Sequence, residues 1–174
     1  VQNLIDFLNA ILQSEIRHQN QSSAYILPGA INRLEPSLLD AVGLNKHITL
    51  NRTNFLLVDP PLNHCPPYIE EVIGRLLSQR LIPVIAHPER NIGFQRNPNR
   101  FADLANSGVI AQISAGSLTG LYGSDASNTA ELFLRSGIAH VVASEMHSAN
   151  GRLAPDLSTA FDIVVDMLDE RRAV

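Results

Sequence analysis

The sequence predicts an α/β fold built on a parallel sheet, and three observations carry that expectation. Strand-length apolar runs alternate with helical patterns from about residue 24 to the end. Runs such as "FLLV" and "LIPVIA" are continuously apolar rather than alternating, as in strands buried on both faces. No internal repeat, low-complexity tract or linker interrupts the series, so residues 1–174 read as a single domain, either barrel-like or doubly wound.

Each element has its own signal. Leu4, Phe7, Leu8, Ile11 and Leu12 recur at helical spacing, which predicts an amphipathic helix over residues 2–17, broken by "QNQSS". "AYILPGA" predicts a short strand stopped by Pro28-Gly29. "EPSLLDAVG" reads as a helix with Pro36 in its first turn and Gly43 as its stop. "FLLVDPP" is a strand ended by prolines. In "PPYIEEVIGRLLSQR", Glu70 and Glu71 come early and Arg75 and Arg80 late, the order that suits a helix dipole. "LIPVIA" predicts the next strand, and "PNRFADLANS" a helix closed by Gly108. "VIAQISA" predicts a strand, "SDASNTAELFLRS" a helix closed by Gly137, and "IAHVVAS" a further strand. "APDLSTAFDIVVDMLDERR" is a final helix with Pro155 near its start.

Composition narrows the function classes. An apolar fraction of 45% and a charged fraction of 17% are those of a globular protein. A net charge of −4 without clustered Lys and Arg argues against nucleic acid as a partner. No apolar run reaches the roughly 20 residues of a membrane helix, and no signal-peptide pattern is present. The single cysteine, Cys65, rules out an internal disulfide framework and suggests a cytoplasmic setting. The chain opens at Val1 directly in a helical pattern, which fits a processed or incomplete chain.

In parallel α/β folds chemistry gathers at the carboxyl ends of the strands. Three such ends carry unusual polar content: His87, Glu89 and Arg90 after "PVIA", Glu145, His147 and Arg152 after "HVVAS", and Gly116, Ser117 and Thr119 after "AQISA". Imidazole and carboxylate suit a metal ion, and guanidinium suits phosphate. The plainer alternatives are that each His caps its strand on a backbone group, that Arg90 pairs with Glu89 or Asp59 at the surface, and that Glu89 only orients its turn. "SAGSLTG" could supply backbone donors at the mouth of a site. His18, His47 and His64 have no partner pattern, and His140 reads as a packed or edge residue. There is no dinucleotide fingerprint, phosphate-loop lysine or serine elbow, and Cys65 lacks the phosphate loop of a cysteine phosphatase.

The blocks "LIPVIAHPERN", "AQISAGSLTGLYG" and "HVVASEMHSANGR", with "ILPGAINRL", "LLVDPPLNHCPPYIEEVI" and the final helix in the same order, resemble the bacterial capsule and exopolysaccharide protein-tyrosine phosphatases. These belong to the polymerase and histidinol phosphatase (PHP) family. The resemblance spans about residues 2–170. It implies a distorted (β/α)7 barrel around a cluster of metal ions, manganese or another divalent cation. It also implies hydrolysis of phosphotyrosine on a partner protein, a tyrosine kinase of polysaccharide export. Carried over by position, His87 of "AHPER" and His147 of "SEMH" resemble metal ligands, and Arg90 and Arg152 of "NGR" resemble phosphate contacts. Glu145 stands where the family has an aspartate ligand, and Ile31 where it has a bridging glutamate. The family's opening His-X-His motif has no counterpart in this chain, so the barrel is expected to be incomplete at its N-terminus. The alternative these departures raise is a catalytically degenerate member that binds a phosphotyrosine tail or protein partner without turnover.

Overall fold

The structure, a computed structural model, describes residues 5–6, 8–10, 25–146 and 157–172. Five parallel strands lie in sequence order across one sheet: β1 (Asn32–Arg33), β2 (Phe55–Asp59), β3 (Ile82–Ala86), β4 (Ile110–Ser114) and β5 (Val141–Ala143). The register sets Val58 beside Ile85, Ile85 beside Ala111 and Ile113 beside Val142. From residue 25 on, the described residues form seven α-helices: α1 (Ser37–Gly43), α2 (Ile69–Ser78), α3 (Ile92–Arg96), α4 (Pro98–Asn106), α5 (Ala115–Leu118), α6 (Ser124–Arg135) and α7 (Leu157–Arg172). The α/β fold with a parallel sheet is as expected. Among the described residues the sheet is open, with β1 and β5 at its edges.

Burial follows position in the sheet. Pro83 to Ala86 of β3, with a strand on each side, are all buried. β2 and β4 bury fewer of their residues, and edge strand β5 has none fully buried. The continuous apolar run at residues 82–86 is therefore what a central parallel strand requires.

Helices close the core by the periodicity read from the sequence. α2 buries Ile69, Val72, Ile73 and Leu76, spaced three and four residues apart. Phe94 of α3, Phe101 of α4 and Phe133 of α6 are fully buried and form a row, with successive ring centroids 5.0 Å apart. Such ring pairs add roughly 0.5–1.5 kcal/mol each beyond their area.

The expected strand "AYILPGA" is not formed. Residues 25–30 are irregular, with Tyr25 and Leu27 exposed, and pairing begins only at Asn32. Two causes are visible. The Asn9 side chain takes both backbone groups of Ile26, donating to its carbonyl at 2.8 Å and accepting from its N–H at 2.5 Å. Pro28 then removes a ladder donor. Residues 5–6 and 8–10 are helical, in keeping with the expected first helix, whose remaining residues lie outside those described.

Candidate functional site

The carboxyl edge of the sheet collects the polar side chains. β2 ends in Asp59, β3 runs into His87, and Glu145 follows β5. Between β3 and β5, β4 ends at the buried Ser114 and runs into the small buried residues Ala115, Gly116 and Ser117 of α5. His87 Nε2 lies 3.5 Å from Asp59 Oδ1 and 3.7 Å from Glu145 Oε1. Arg90 Nη1 lies 3.5 Å from Glu145 Oε2. Three sequence-derived candidates, His87, Arg90 and Glu145, thus meet in one place. The other two, His147 and Arg152, lie outside the described residues, as does His18.

The backbone is strained where the imidazole and the second carboxylate enter. His87 has φ 36° and Glu145 φ 49°, left-handed conformations that cost on the order of 1–3 kcal/mol each for such residues. His87 turns out of β3 into a short 3₁₀ turn, Pro88–Arg90, in which the Arg90 N–H donates to the His87 carbonyl at 2.9 Å. The imidazole does not cap its strand: the His87 backbone N–H donates to the Gln112 carbonyl at 2.7 Å, while Nδ1 has no hydrogen-bond partner among the described residues.

Glu89 and Asn91 fix this turn. Glu89 is fully buried; its Oε1 accepts from the Ser114 N–H at 3.0 Å and from the Ser117 hydroxyl at 2.6 Å, while Oε2 has no partner among the described residues. Burial, and less strongly the nearby Glu145, push its carboxyl up to about 7, against the pull of those hydrogen bonds. The reading that Glu89 orients its turn therefore describes the structure, and pairing with an arginine does not. It also engages the first donors of the "SAGSLTG" segment internally, and the Thr119 hydroxyl turns back on the Ala115 carbonyl. Asn91, fully buried, caps α3 by accepting from the Phe94 N–H at 2.9 Å. Its amide donates to the Pro61 carbonyl and, at 2.8 Å, to the His64 carbonyl. The loop after Asp59 is thereby tied to the turn after His87.

Asp59 entered the sequence reading only as a surface partner for Arg90. The structure sets it against His87 instead, and the signal was its place at the end of "FLLVD" before two prolines. Tyr122 was also missed: the Arg90 guanidinium carbon lies 3.9 Å from its ring centroid. Ile31, aligned with the family's bridging glutamate, is exposed, and the neighbouring Asn32 amide is spent on the carbonyls of Ala30, Ile48 and Leu57. His140 Nδ1 accepts from the Ala111 N–H at 3.1 Å, the edge role expected of it.

The donor set fits part of a divalent-metal site. Asp59 Oδ1 is buried with no hydrogen-bond partner among the described residues, an arrangement that suits a cation. Ligand atoms about 2.1 Å from a four-coordinate ion stand roughly 3.4 Å apart, close to the spacings around His87 Nε2. One imidazole and two carboxylates suit manganese, iron or zinc. Among the described residues no group of three or more such side chains forms a ready cage, so Asp59, His87 and Glu145 could hold an ion only together with further ligands.

Residues 7–173 match the family described as "Capsular polysaccharide synthesis, CpsB/CapC". Over 128 residues the chain is 32% identical to the tyrosine-protein phosphatase YwqE of Bacillus subtilis (strain 168), covering 74% of this chain and 50% of that protein. It is 28% identical over 130 residues to the tyrosine-protein phosphatase CpsB of Streptococcus pneumoniae, covering 72% and 53%. A solved structure from work on these two proteins, described there as unique metal-dependent tyrosine phosphatases, superposes with a TM-score of 0.77 at 26% identity. That match covers 95% of this chain and 65% of the other. The chain spans about half the length of the curated relatives it matches.

Proposed function

The chain belongs to the CpsB/CapC family of capsular polysaccharide synthesis, and from that membership we propose that it carries part of the active site of a metal-dependent protein-tyrosine phosphatase. The observation that carries the proposal is the convergence of Asp59, His87, Glu145 and Arg90 at the carboxyl edge of the sheet. Asp59, His87 and Glu145 would hold the metal, with His147 as a further ligand. When bound, a divalent cation, manganese in our proposal, supplies positive charge against the phosphoryl oxygens.

The chain's own residues supply the rest. Arg90, joined in our proposal by Arg152, would present in-plane N–H donors to the phosphoryl oxygens and offset the charge that develops in the transition state. Glu89 and Asn91 hold Arg90 and His87 on one rigid turn, so that metal and phosphate are met in fixed relation. A hollow of about 220 Å³ beside Asp59, lined in part by Arg33, Glu35 and Tyr68, leaves room for peptide around the phosphotyrosine. We read residues 1–174 as one domain and its sheet as part of a distorted (β/α)7 barrel of the PHP type. The substrate we propose is a cytoplasmic tyrosine kinase tail of polysaccharide export. No described helix is long and apolar enough to cross a membrane.

The test is turnover of a phosphotyrosine peptide by the full-length protein with manganese, repeated after chelation and in Asp59→Asn. Turnover that disappears on chelation is the expected result. Asp59→Asn should weaken manganese binding at least tenfold, since loss of even an outer-shell partner costs roughly 10–100-fold. Tight phosphopeptide binding without turnover would establish the binding-only alternative in its place. That alternative is not favoured, because the relatives matched are named phosphatases.

A further inference from the structure

We infer that Tyr122 is the positioning residue for Arg90, and that Gly116 is the residue that lets it lie there; the inference rests on reading Arg90 as the phosphate contact. Among the described residues Arg90 has one carboxylate within hydrogen-bonding reach, Glu145 at 3.5 Å, at the outer limit of a hydrogen bond. Its other neighbour is the Tyr122 ring, 3.9 Å below the guanidinium carbon. The two kinds of partner do different things. A carboxylate fork occupies guanidinium N–H groups and offsets their charge. The face of a ring fixes the guanidinium plane and leaves the in-plane N–H donors free. A phosphate-binding arginine needs the second kind of support.

The chain is built to bring the ring there. After α5 the Leu121 N–H donates to the Gly116 carbonyl at 2.8 Å, and Gly120 and Gly123 take left-handed φ values of 80° and 88°. This tight return lays Tyr122 against Gly116. A Cβ on Gly116 would stand 2.6 Å from Tyr122 Cε2 and 3.1 Å from Cζ, so any side chain there would push the ring away. The same segment is also tied to the turn that carries Arg90, because Ser117 donates to Glu89, the residue before Arg90. The ring and the arginine are thus held to one frame. The Tyr122 hydroxyl has no hydrogen-bond partner among the described residues, so the ring rather than the phenol carries the role.

Phosphate binding separates this from a merely structural role. The probe is inorganic phosphate, titrated calorimetrically into the manganese-loaded full-length protein. Tyr122→Phe should bind phosphate like the parent, and Tyr122→Leu about tenfold more weakly, in line with the loss of a desolvated cation–π contact. Gly116→Ala, which displaces the ring without removing it, should weaken binding several-fold and serves if the leucine variant does not fold. In an Arg90→Ala background Tyr122→Leu should have no further effect, since the ring acts only through the guanidinium. Weak binding in Arg90→Ala with parental binding in Tyr122→Leu and Gly116→Ala would overturn the positioning role alone. Parental binding in Arg90→Ala as well would also overturn the phosphate reading beneath it. An effect of Tyr122→Leu that persists without Arg90 would show the ring to be structural.

Discussion

Two arginines ten residues apart, Arg90 and Arg100, sit in opposite kinds of environment. Arg100, on α4, spends four of its five N–H donors. It forks onto Glu70 at 2.5 and 2.9 Å and donates to the carbonyls of Cys65 and Pro66 at 2.8 and 2.9 Å. Among the described residues Arg90 has a single long contact to Glu145 and an aromatic face. Both side chains are mostly buried, at 28% and 24% exposure, so access does not separate them. What separates them is unspent hydrogen-bonding capacity. A guanidinium with nearly every donor used is a clamp, whereas one desolvated but left with most of its donors free is ready for a ligand.

The largest expected effect breaks the ligand side of that contrast. Arg90→Ala should lower turnover of the manganese-loaded full-length protein by roughly 10²–10³-fold, the usual cost of losing one charge-stabilising donor at a reacting centre. Its stability to urea should change by no more than about 1 kcal/mol, because only a cation–π contact and a long ion pair are lost. A variant that instead unfolds easily would make Arg90 a clamp like Arg100.

Arg100→Ala should do the reverse. Two carbonyls in the loop before α2 lose their donor and Glu70 loses its pair, for about 2 kcal/mol, or a melting temperature lower by roughly 4–8 °C. Turnover per folded molecule should be unchanged. The pH dependence follows from Glu70, whose carboxyl the Arg100 hydrogen bonds hold below its ordinary range. An acid lowered on folding contributes stability above its unfolded value and loses it as the pH falls through the folded one. The difference between parent and Arg100→Ala should therefore be full at neutral pH and shrink below about pH 4.5. Thermal melts across pH 3–7 check this, and a constant difference would mean that the carbonyl contacts alone matter.

How far the sequence carried depends on how local each signal was. β3 and the pair His87 and Arg90 were legible because a buried run followed at once by polar residues is a contiguous pattern. The α2 and α6 faces were legible because helical period is local too. Asp59 was half legible, since it stood at a strand end but its partner is 28 positions on. Glu89, Asn91 and Tyr122 were not legible as a set. Glu89 meets Ser114 and Ser117 25 and 28 residues later, Asn91 meets His64 27 residues earlier, and only the fold brings these together. β1 failed for a different reason. An edge strand of two residues has too little pairing to leave a pattern, and the apolar "YIL" before it drew the strand to the wrong place.

The smallest expected effect belongs to Cys65, which lends its carbonyl to Arg100 and keeps its thiol to itself. Burial pushes that thiol up to about 11, only partly opposed by Arg100. At pH 7 roughly one molecule in ten thousand would then carry the thiolate, too few for a nucleophile. A Cβ on Gly93 would stand 2.3 Å from Cys65 Cβ, so the side chain is packed against α3. Cys65→Ala should therefore leave turnover within about twofold of the parent and cost stability through packing alone, about 1 kcal/mol. Iodoacetamide should label the folded parent at pH 7 far more slowly than the urea-unfolded chain. Rapid labelling with loss of turnover would place a nucleophile on the Arg100 side of the molecule and reverse the assignment of the two arginines.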